Sequence, residues 1–342
     1  MSYGSDQWQD WVLNEDKSLP LLKAAYDKGI NSWDTADVYS NGESERIIAK
    51  AIEKYNIPRE KLVIMTKLFF AVPEAPNELR FGQSEKELEK QGPKYVNQSG
   101  LSRKHIFDAV EKSLARLQTS YIDVLQIHRY DPTVSCEEVM EALHGTYSPQ
   151  DVTTTDCLCL DIVKCGKVRY IGASSMWTYQ FQTLQFTAKL NGWTQFISMQ
   201  NFYNLVYREE EREMMKYLKE TGVGSIPWSP LARGLLSKPW DDSSSTRSTT
   251  DTMLTAFKNK TDVSDKEIVE RTLELSKKYG KTMSQIATAW ILAKPTVTAP
   301  IVGFRDQSHM DDLIAALDIN LSAEDIRYLE EPYIPKAVFG HE

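Results

Sequence analysis

Strand-like and helix-like segments alternate through most of this sequence, and that alternation limits its fold more than any other feature. In the first half, predicted strands at 31–35, 62–67 and 122–128 alternate with predicted helices at 19–28, 43–55 and 103–117. In the second half, strands at 168–174, 196–200, 224–229 and 299–303 alternate with helices at 179–190, 209–220, 266–279, 284–292 and 308–317. Such alternation is typical of parallel strands joined by helical crossovers. The sequence therefore predicts an α/β protein.

Polar residues follow three successive predicted strands. Asp34 ends the first strand and Tyr39 lies in the loop after it, Lys67 ends the second strand, and His128 ends the third. In a (β/α)8 TIM barrel the carboxyl ends of all strands meet at one mouth, so these side chains would converge. An open doubly wound sheet would more often carry a glycine-rich fingerprint after its first strand, and none is present there. A single barrel domain over residues 1–342 is the preferred prediction.

These four residue types suit the reduction of a carbonyl group. The reaction needs a hydride donor and a proton donor for the developing alkoxide. Tyr39 could donate that proton if the Lys67 ammonium lowered the pKa of the phenol, and Asp34 would hold the lysine in place. His128 would orient the carbonyl oxygen. Each residue alone is more often structural, as a cap or a core side chain, but their combination favours a catalytic site.

The contexts of these residues resemble the catalytic motifs of the aldo-keto reductases. The matching segments are Asp34-Thr-Ala-x-x-Tyr39, Thr66-Lys67 and Leu125-Gln-Ile-His128. The resemblance extends from Met1 to about Gly340 and is closest to fungal members related to aryl-alcohol dehydrogenases. It implies a TIM barrel and an NADPH-dependent oxidoreductase that converts an aldehyde or ketone to the alcohol, with Tyr39 as general acid.

The resemblance also implies a cofactor platform on later strands. Ser174, Ser175 and Gln200 match the family's groups for the nicotinamide carboxamide, and Trp228 matches the aromatic residue that stacks on the nicotinamide ring. Taken singly, Trp228 reads as a core residue and either serine as a helix cap. The pyrophosphate would lie on the loop that contains Ser229, Leu231 and Arg233.

The segment after the last predicted strand is the candidate site for the adenosine end of the cofactor. Its residues are Gly303, Arg305 for the 2′-phosphate, and His309 and Asp312 for the adenine. Two positions depart from the family pattern: Leu313 stands where asparagine is common, and Asp306 where a polar or basic residue is common. A carboxylate beside a phosphate weakens binding, so these departures bear on the preference for NADPH over NADH.

By analogy with the family an aromatic aldehyde or a polyketide-like ketone would fit as substrate, and aromatic residues near the predicted strand ends could form an apolar pocket for it. Each is as consistent with the core as with the pocket. The candidates are Tyr3, Trp33, Phe69, Phe70, Tyr130 and Trp177.

Three features of the scaffold depart from the expected barrel. In the family, a hairpin and the first barrel strand precede the position of Met1, so the chain is expected to lack them. Residues 145–160 interrupt a helix whose halves run together in the family, and they read either as a translated intron or as a surface loop. The hydrophilic segment 241–251 reads as a loop at the mouth.

Composition excludes several other classes of protein. A net charge of −8 and a pI near 5.4 argue against broad binding to nucleic acid or anionic membranes. The sequence shows neither a membrane-spanning apolar stretch nor a signal pattern after Met1, so a cytoplasmic location is expected. The four cysteines form no CxxC pair and are expected to be free thiols without a metal.

A small-molecule carbonyl or alcohol substrate is thus the expected partner. Two alternatives remain open: a cofactor-binding regulatory subunit without catalysis, and a truncated, inactive paralogue or product of a gene-prediction error. A metal-dependent barrel hydrolase is disfavoured, because His128 is the only histidine at a predicted strand end.

Overall fold

A computed structural model describes residues 1–79, 92–145, 162–242, 250 and 262–341. The predicted insertion after Gly145 and most of the hydrophilic loop at 241–251 lie outside these residues. The chain forms two compact units, Tyr3–Ile197 with Met1 and Ser198–His341 with Ser2. The single domain remains a prediction.

The first unit contains a parallel sheet in the order β1-β2-β3-β4, with helices between its strands. The register places Trp33 opposite Ile64, and Leu125 opposite both Thr66 and Ile171. The elements of this unit are α1 (Glu15–Asp27), β1 (Ser32–Asp34), α2 (Glu43–Lys54), β2 (Val63–Leu68), α3 (Arg103–Leu117), β3 (Ile122–Ile127), α4 (Cys136–His144), β4 (Val168–Ser174) and α5 (Thr178–Leu190), with short 3-10 turns at Tyr39–Gly42, Arg59–Lys61 and Gly92–Tyr95.

Strands β2 and β3 form the core of this unit, since they lie between the other two strands. Ile64, Leu125 and Ile127 are almost completely buried, as expected for parallel strands covered on both faces. Helix α2 turns Ile47 and Ala51 toward the core, and of its charged residues only Glu45 is buried with them. This packing fixes the carboxyl ends of the strands, where the polar residues predicted from the sequence lie.

The second unit contains strands β5 (Ser198–Gln200) and β6 (Gly224–Ser225), which pair in parallel. The predicted strand at 299–303 is reduced to a single parallel bridge between Ile301 and Trp228. Pro227 and Pro300 explain the shortened ladders, because proline has no backbone N–H to donate. The helices of this unit are α6 (Met214–Thr221), α7 (Asp262–Tyr279), α8 (Met283–Leu292), α9 (Gln307–Ile314) and α10 (Ala323–Glu330), with 3-10 turns at Glu209–Glu211, Ala232–Ser237 and Ala315–Asp318.

Several predicted boundaries were wrong. Helix α1 begins at Glu15 rather than at residue 19, because Asn14 is its N-cap and two acidic residues occupy its first turn. The continuous helix predicted at 209–220 is divided, since Glu213 is non-helical. Helix α2 begins at Glu43 as predicted, and the Ser44 hydroxyl in its first turn accepts a hydrogen bond from Thr35.

No helix in the described residues is both long enough and apolar enough to cross a lipid bilayer.

Candidate active site

A buried ion pair joins the ends of β1 and β2. The Lys67 ammonium lies 2.6 Å from the Asp34 carboxylate, and the lysine side chain is 0% exposed. The same ammonium also donates to the carbonyl oxygen of Thr35 at 2.8 Å. Lysine is rarely buried unless paired, so this contact fixes both the position and the charge of its side chain.

Tyr39 and His128 lie next to this pair. The Lys67 ammonium is 5.1 Å from the centre of the Tyr39 ring and hydrogen-bonds with its hydroxyl. The rings of Tyr39 and His128 meet edge to face at 5.7 Å. The structure therefore brings together Asp34, Tyr39, Lys67 and His128, as the sequence predicted, and all four lie within the first unit.

Burial determines the protonation of Tyr39 and His128. It raises the pKa of Tyr39 above its ordinary value, and the opposing effect of Lys67 is smaller, so the predicted lowering of this pKa was wrong for the free protein. Burial, Arg129 and Lys67 together hold the pKa of His128 well below its usual range. At neutral pH the site therefore contains a protonated phenol and a neutral imidazole.

Burial alone would lower the pKa of Lys67, but the nearby Asp34 carboxylate and the Tyr39 hydroxyl raise it above its ordinary value. The lysine is therefore charged at neutral pH, which is the state needed to stabilise a phenolate.

Gln126 is a member of the site that the sequence analysis missed. Its side-chain amide donates to the second oxygen of Asp34 at 3.1 Å, so both oxygens of that carboxylate have partners. Residues 126 and 128 share one side of the chain because side chains alternate along a strand. A buried polar residue inside the apolar strand β3 was the available signal.

A second layer of polar contacts links β2 to helices α2 and α3. Glu45, on α2 and 0% exposed, accepts a hydrogen bond from Thr66 at 2.6 Å and another from Arg116 on α3 at 2.6 Å. Because Thr66 directly precedes Lys67, this layer anchors the part of the strand that carries the lysine. Such supporting contacts keep a reactive group in one geometry.

The chain after Tyr39 follows a left-handed path. Ser40, Asn41 and Gly42 have φ values of 49°, 54° and 88°. Only glycine adopts this region without strain, although asparagine tolerates it. The Ser40 hydroxyl accepts a hydrogen bond from the Ser5 backbone, and the Asn41 amide donates to the carbonyl oxygens of Ala75 and Glu78. These contacts hold a turn that would otherwise be unfavourable.

The predicted carboxamide-binding residues lie at strand ends in both units. In the first unit, Ser174 is the last residue of β4 and Ser175 follows it with φ 41°, and both are buried. Neither caps α5, whose N-cap is Trp177. In the second unit, Gln200 is the buried last residue of β5.

In the second unit, Trp228 stacks on Phe202 with 4.5 Å between ring centres. The predicted pyrophosphate loop follows it and turns through left-handed conformations at Ser229 and Arg233, with Leu231 between them. Consecutive backbone N–H groups in such turns can cradle an anion. Arg233 is itself only 6% exposed.

The candidate phosphate site lies where Gly303 leads into helix α9. Asp306 is the N-cap of α9 and accepts hydrogen bonds from the His309 backbone and the Ser308 hydroxyl. Partial burial would raise the pKa of Asp306, but these hydrogen bonds lower it overall, so the group is ionised. A carboxylate thus occupies the end of the helix that was predicted to face a phosphate, next to exposed Arg305.

Asp312 and Leu313, farther along α9, have structural contacts. The Asp312 carboxylate accepts a hydrogen bond from the Thr282 hydroxyl at 2.8 Å, and Leu313 is buried. The His309 imidazole pairs with Asp306 at 3.1 Å. Any contact of Asp312 or His309 with an adenine would have to compete with these bonds.

Of the aromatic residues considered for the substrate pocket, Phe70 packs against a catalytic candidate, His128. Its ring is 5.2 Å from that of His128 and 5.1 Å from that of Phe69. Trp33 is buried and its indole donates to Ile30, at the amino end of β1. The Tyr130 hydroxyl contacts the Cys136 thiol at 3.7 Å. Tyr3 is partly buried, which raises its pKa, and Trp177 is the N-cap of α5.

Within the described ranges, no cluster of histidine, cysteine and carboxylate side chains could hold a metal ion. Cys136 and Cys165 are free thiols, and the other two cysteines lie outside those ranges.

Parallel strands with a buried lysine, a phenol and a neutral imidazole at their carboxyl ends define an α/β protein equipped for proton transfer to a bound oxygen. The sequence profile of the Aldo/keto reductase family matches residues 1–334. The chain belongs to the aldo-keto reductase family, and it is an oxidoreductase of carbonyl compounds. Aldo-keto reductases generally take their hydride from NAD(P)H.

Several fungal proteins resemble this chain along most of their length. Versiconal hemiacetal acetate reductase of Aspergillus parasiticus is 48% identical over 342 residues, which cover 99% of this chain and 93% of the relative. A putative aryl-alcohol dehydrogenase of Schizosaccharomyces pombe is 50% identical over 349 residues, covering 99% and 92%. Another from Saccharomyces cerevisiae is 45% identical over 338 residues, covering 98% and 92%.

Proposed function

We propose that this protein is an NADPH-dependent reductase of aldehydes or ketones, with aromatic carbonyl compounds as substrates and Tyr39 as general acid. The observation that carries the proposal is the buried Lys67, which pairs with Asp34 at 2.6 Å and hydrogen-bonds with the Tyr39 hydroxyl beside a neutral His128. A phenol that keeps its proton until negative charge develops beside it is suited to act as an acid.

The four residues divide the work of proton transfer. Bound NADPH would supply the hydride. The neutral His128 would donate a hydrogen bond to the carbonyl oxygen and orient it toward Tyr39. As negative charge develops on that oxygen, Tyr39 would transfer its proton to it, and the Lys67 ammonium would stabilise the phenolate that remains. Asp34 keeps the ammonium charged and in place, and Gln126 fixes the second oxygen of Asp34.

The residues of the second unit fit a nicotinamide cofactor better at the ring end than at the 2′-phosphate. The buried Gln200 and the aromatic surface of Trp228 suit an amide and a flat ring, and the left-handed loop after Trp228 suits a pyrophosphate. At the proposed 2′-phosphate site the positive charge of Arg305 would attract a phosphate, whereas the negative charge of Asp306 would repel it. NADPH rather than NADH is proposed because Arg305 supplies an exposed cation.

The aromatic substrate class is supported by Phe70, which lies beside His128 and packs on Phe69, and by the names of the aryl-alcohol dehydrogenase relatives. The family membership further supports a single (β/α)8-type domain. One domain would unfold in one cooperative step, with tryptophan fluorescence and circular dichroism changing together. Separate transitions for the two probes would contradict it.

The test of the function is the Tyr39→Phe variant, assayed with NADPH and a panel of aromatic aldehydes. Loss of the general acid is expected to lower kcat by about 100-fold or more, while the dissociation constant for NADPH stays unchanged. Circular dichroism confirms that the variant is folded. A wild-type chain that reduces the panel together with a Phe variant of equal kcat would refute the role of Tyr39. A wild-type chain inactive on the panel would refute the function.

A further inference from the structure

Arg129 is a partly buried arginine, and unlike Arg59 and Arg116 it has no carboxylate beside it among the described residues. Arg59 lies 2.6 Å from Asp123, and Arg116 lies 2.6 Å from Glu45. Among the described residues no acidic side chain lies within ion-pair distance of Arg129, although its side chain is partly buried. Its contact is a hydrogen bond of 2.6 Å from Nη1 to the carbonyl oxygen of His128.

This guanidinium belongs to the active-site cluster. It directly follows His128, and its central carbon lies 5.9 Å from the centre of the Phe70 ring. Its charge acts on both Tyr39 and His128: it adds to the effect of burial in lowering the pKa of His128, and it offsets a small part of the rise that burial causes in the pKa of Tyr39. The cation is thus close to the groups proposed to bind the substrate oxygen.

The phenol of Tyr39 cannot neutralise this cation at neutral pH. Burial raises the pKa of Tyr39, so the phenol is uncharged there. Burial lowers the pKa of Arg129 to about 10, which still leaves the guanidinium charged at neutral pH. A partly buried charge without a counter-ion is unfavourable, and an anion that enters the site removes that cost.

We propose that Arg129 binds an anionic group of the substrate, so that the enzyme prefers carbonyl compounds that carry a carboxylate. This inference rests on the proposed reductase function and names its substrate class. Nη1 is engaged by the His128 carbonyl, which orients the guanidinium, and the remaining N–H groups can donate to a carboxylate. Such charge-assisted bonds are among the stronger contacts in a binding site.

The test compares two substrates of similar shape, formylbenzoate and the neutral formylbenzamide, in their meta and para isomers. The measured quantity is the ratio of kcat/KM for the acid to kcat/KM for the amide. This ratio cancels any common effect of Arg129 on Tyr39. We expect a wild-type ratio above one for at least one isomer, and a fall of about 10- to 100-fold in Arg129→Gln. Arg129→Lys should retain part of the preference for the acid, since lysine keeps the positive charge but lacks the planar guanidinium that can donate two parallel hydrogen bonds.

Arg169→Gln is the matched control for the loss of one positive charge. Arg169 is exposed at the amino end of β4, the opposite end of that strand from Ser174, and stacks on Tyr121. Its variant should keep the wild-type ratio. An equal fall in both variants would mean that the overall field of the protein, not Arg129, sets the preference, and would overturn the inference.

Equilibrium binding makes the inference testable apart from turnover. Benzoate should bind to the full chain with NADP⁺ about 10-fold or more weakly after Arg129→Gln, as measured by isothermal titration calorimetry. Equal benzoate affinity in both proteins, or an unchanged ratio of kcat/KM, would overturn the inference while leaving the reductase function in place. Weaker NADPH binding in Arg129→Gln would assign the guanidinium to the cofactor and would also overturn it. Failure to reduce either aldehyde would count against the proposed function, and the benzoate result would still decide the role of Arg129.

Discussion

Arg116 on helix α3 donates from Nε to the carboxylate of Glu45 on helix α2 at 2.6 Å, and Glu45 is completely buried. The same carboxylate accepts a hydrogen bond from Thr66, next to the proposed catalytic Lys67. The contact therefore joins two helices to the strand that carries the lysine. A buried carboxylate with these two partners is stable only while both remain.

Replacing Arg116 with methionine should destabilise the fold, because Glu45 would remain as a buried charge without its ion-pair partner. The expected loss is about 3–5 kcal/mol in the free energy of unfolding, measured by urea denaturation. Arg46→Gln is the control, since Arg46 pairs with Glu43 on the exposed side of α2. The free energy of unfolding of Arg46→Gln should fall by less than about 1 kcal/mol. Equal losses in the two variants would contradict the special status of the buried pair.

Asp37→Asn should change how stability depends on pH. Asp37 is 1% exposed, and neither of its carboxyl oxygens makes a hydrogen bond to the described residues. Burial, followed by the nearby Glu45 charge, raises its pKa well above the usual range, although Arg116, the adjacent Val38 N–H and Lys67 act in the opposite direction. The folded protein therefore keeps this proton at pH values where the unfolded chain has lost it.

The sign of the effect follows from that difference in bound protons. Wild-type stability from this group is complete below the unfolded pKa of about 3.9 and falls as pH rises toward the folded pKa, by at most about 1.4 kcal/mol per pH unit. Asp37→Asn removes this loss. The free energy of unfolding of the variant should therefore increase relative to that of the wild type as pH rises. Denaturation curves across this range measure the difference. Parallel curves for the two proteins would show that Asp37 ionises normally.

Gln126→Leu should reduce turnover by about tenfold without weakening NADPH binding, because Asp34 would lose the hydrogen bond that fixes its second oxygen. Stopped-flow or steady-state kcat and the NADPH dissociation constant measure these two effects. Gln185→Leu is the control: Gln185 is also a buried glutamine, but it bonds the backbone of Phe196. It should cost stability and leave kcat near that of the wild type. A similar kcat for both variants would rule out a positioning role for Gln126.

Asp306→Asn should strengthen NADPH binding by about fivefold to tenfold, because it removes a negative charge near the proposed 2′-phosphate. Asparagine caps a helix about as well as aspartate, so α9 should keep its start. Fluorescence titrations with NADPH and with NADH distinguish an effect on the 2′-phosphate from an effect on the rest of the cofactor. NADH lacks this phosphate, so its affinity should not change. Equal gains for both cofactors would place the phosphate elsewhere.

The sequence predicted best where periodicity and caps were strong. Strand β4 and helix α3 have the predicted bounds, and Ser102 caps α3 through its side chain. The strand predicted at 224–229 is shorter in the structure, Gly224–Ser225, because periodicity does not register the missing N–H of Pro227. The four polar residues at the strand ends could be placed together because parallel strands align their carboxyl ends.

The electrostatics of the site could not be predicted in the same way. Whether the pKa of Tyr39 rises or falls depends on how much burial outweighs Lys67, and burial is a property of the whole fold. The partner of Gln126 likewise depends on the distance between two strands that are far apart in sequence. A motif gives the residue types of a site, but the balance between opposing effects requires coordinates.

The left-handed backbone from Ser40 to Gly42 limits how this site can evolve. Mutations in the run would move the Tyr39 hydroxyl without altering any reactive group, because backbone conformations that most residues avoid determine where the phenol lies. Gly42 is doubly restricted, since a side chain there would also meet Arg116 at 2.5 Å. Variation that adapts the enzyme to new substrates therefore has more freedom in the aromatic residues that follow β2 than in the turn that follows β1.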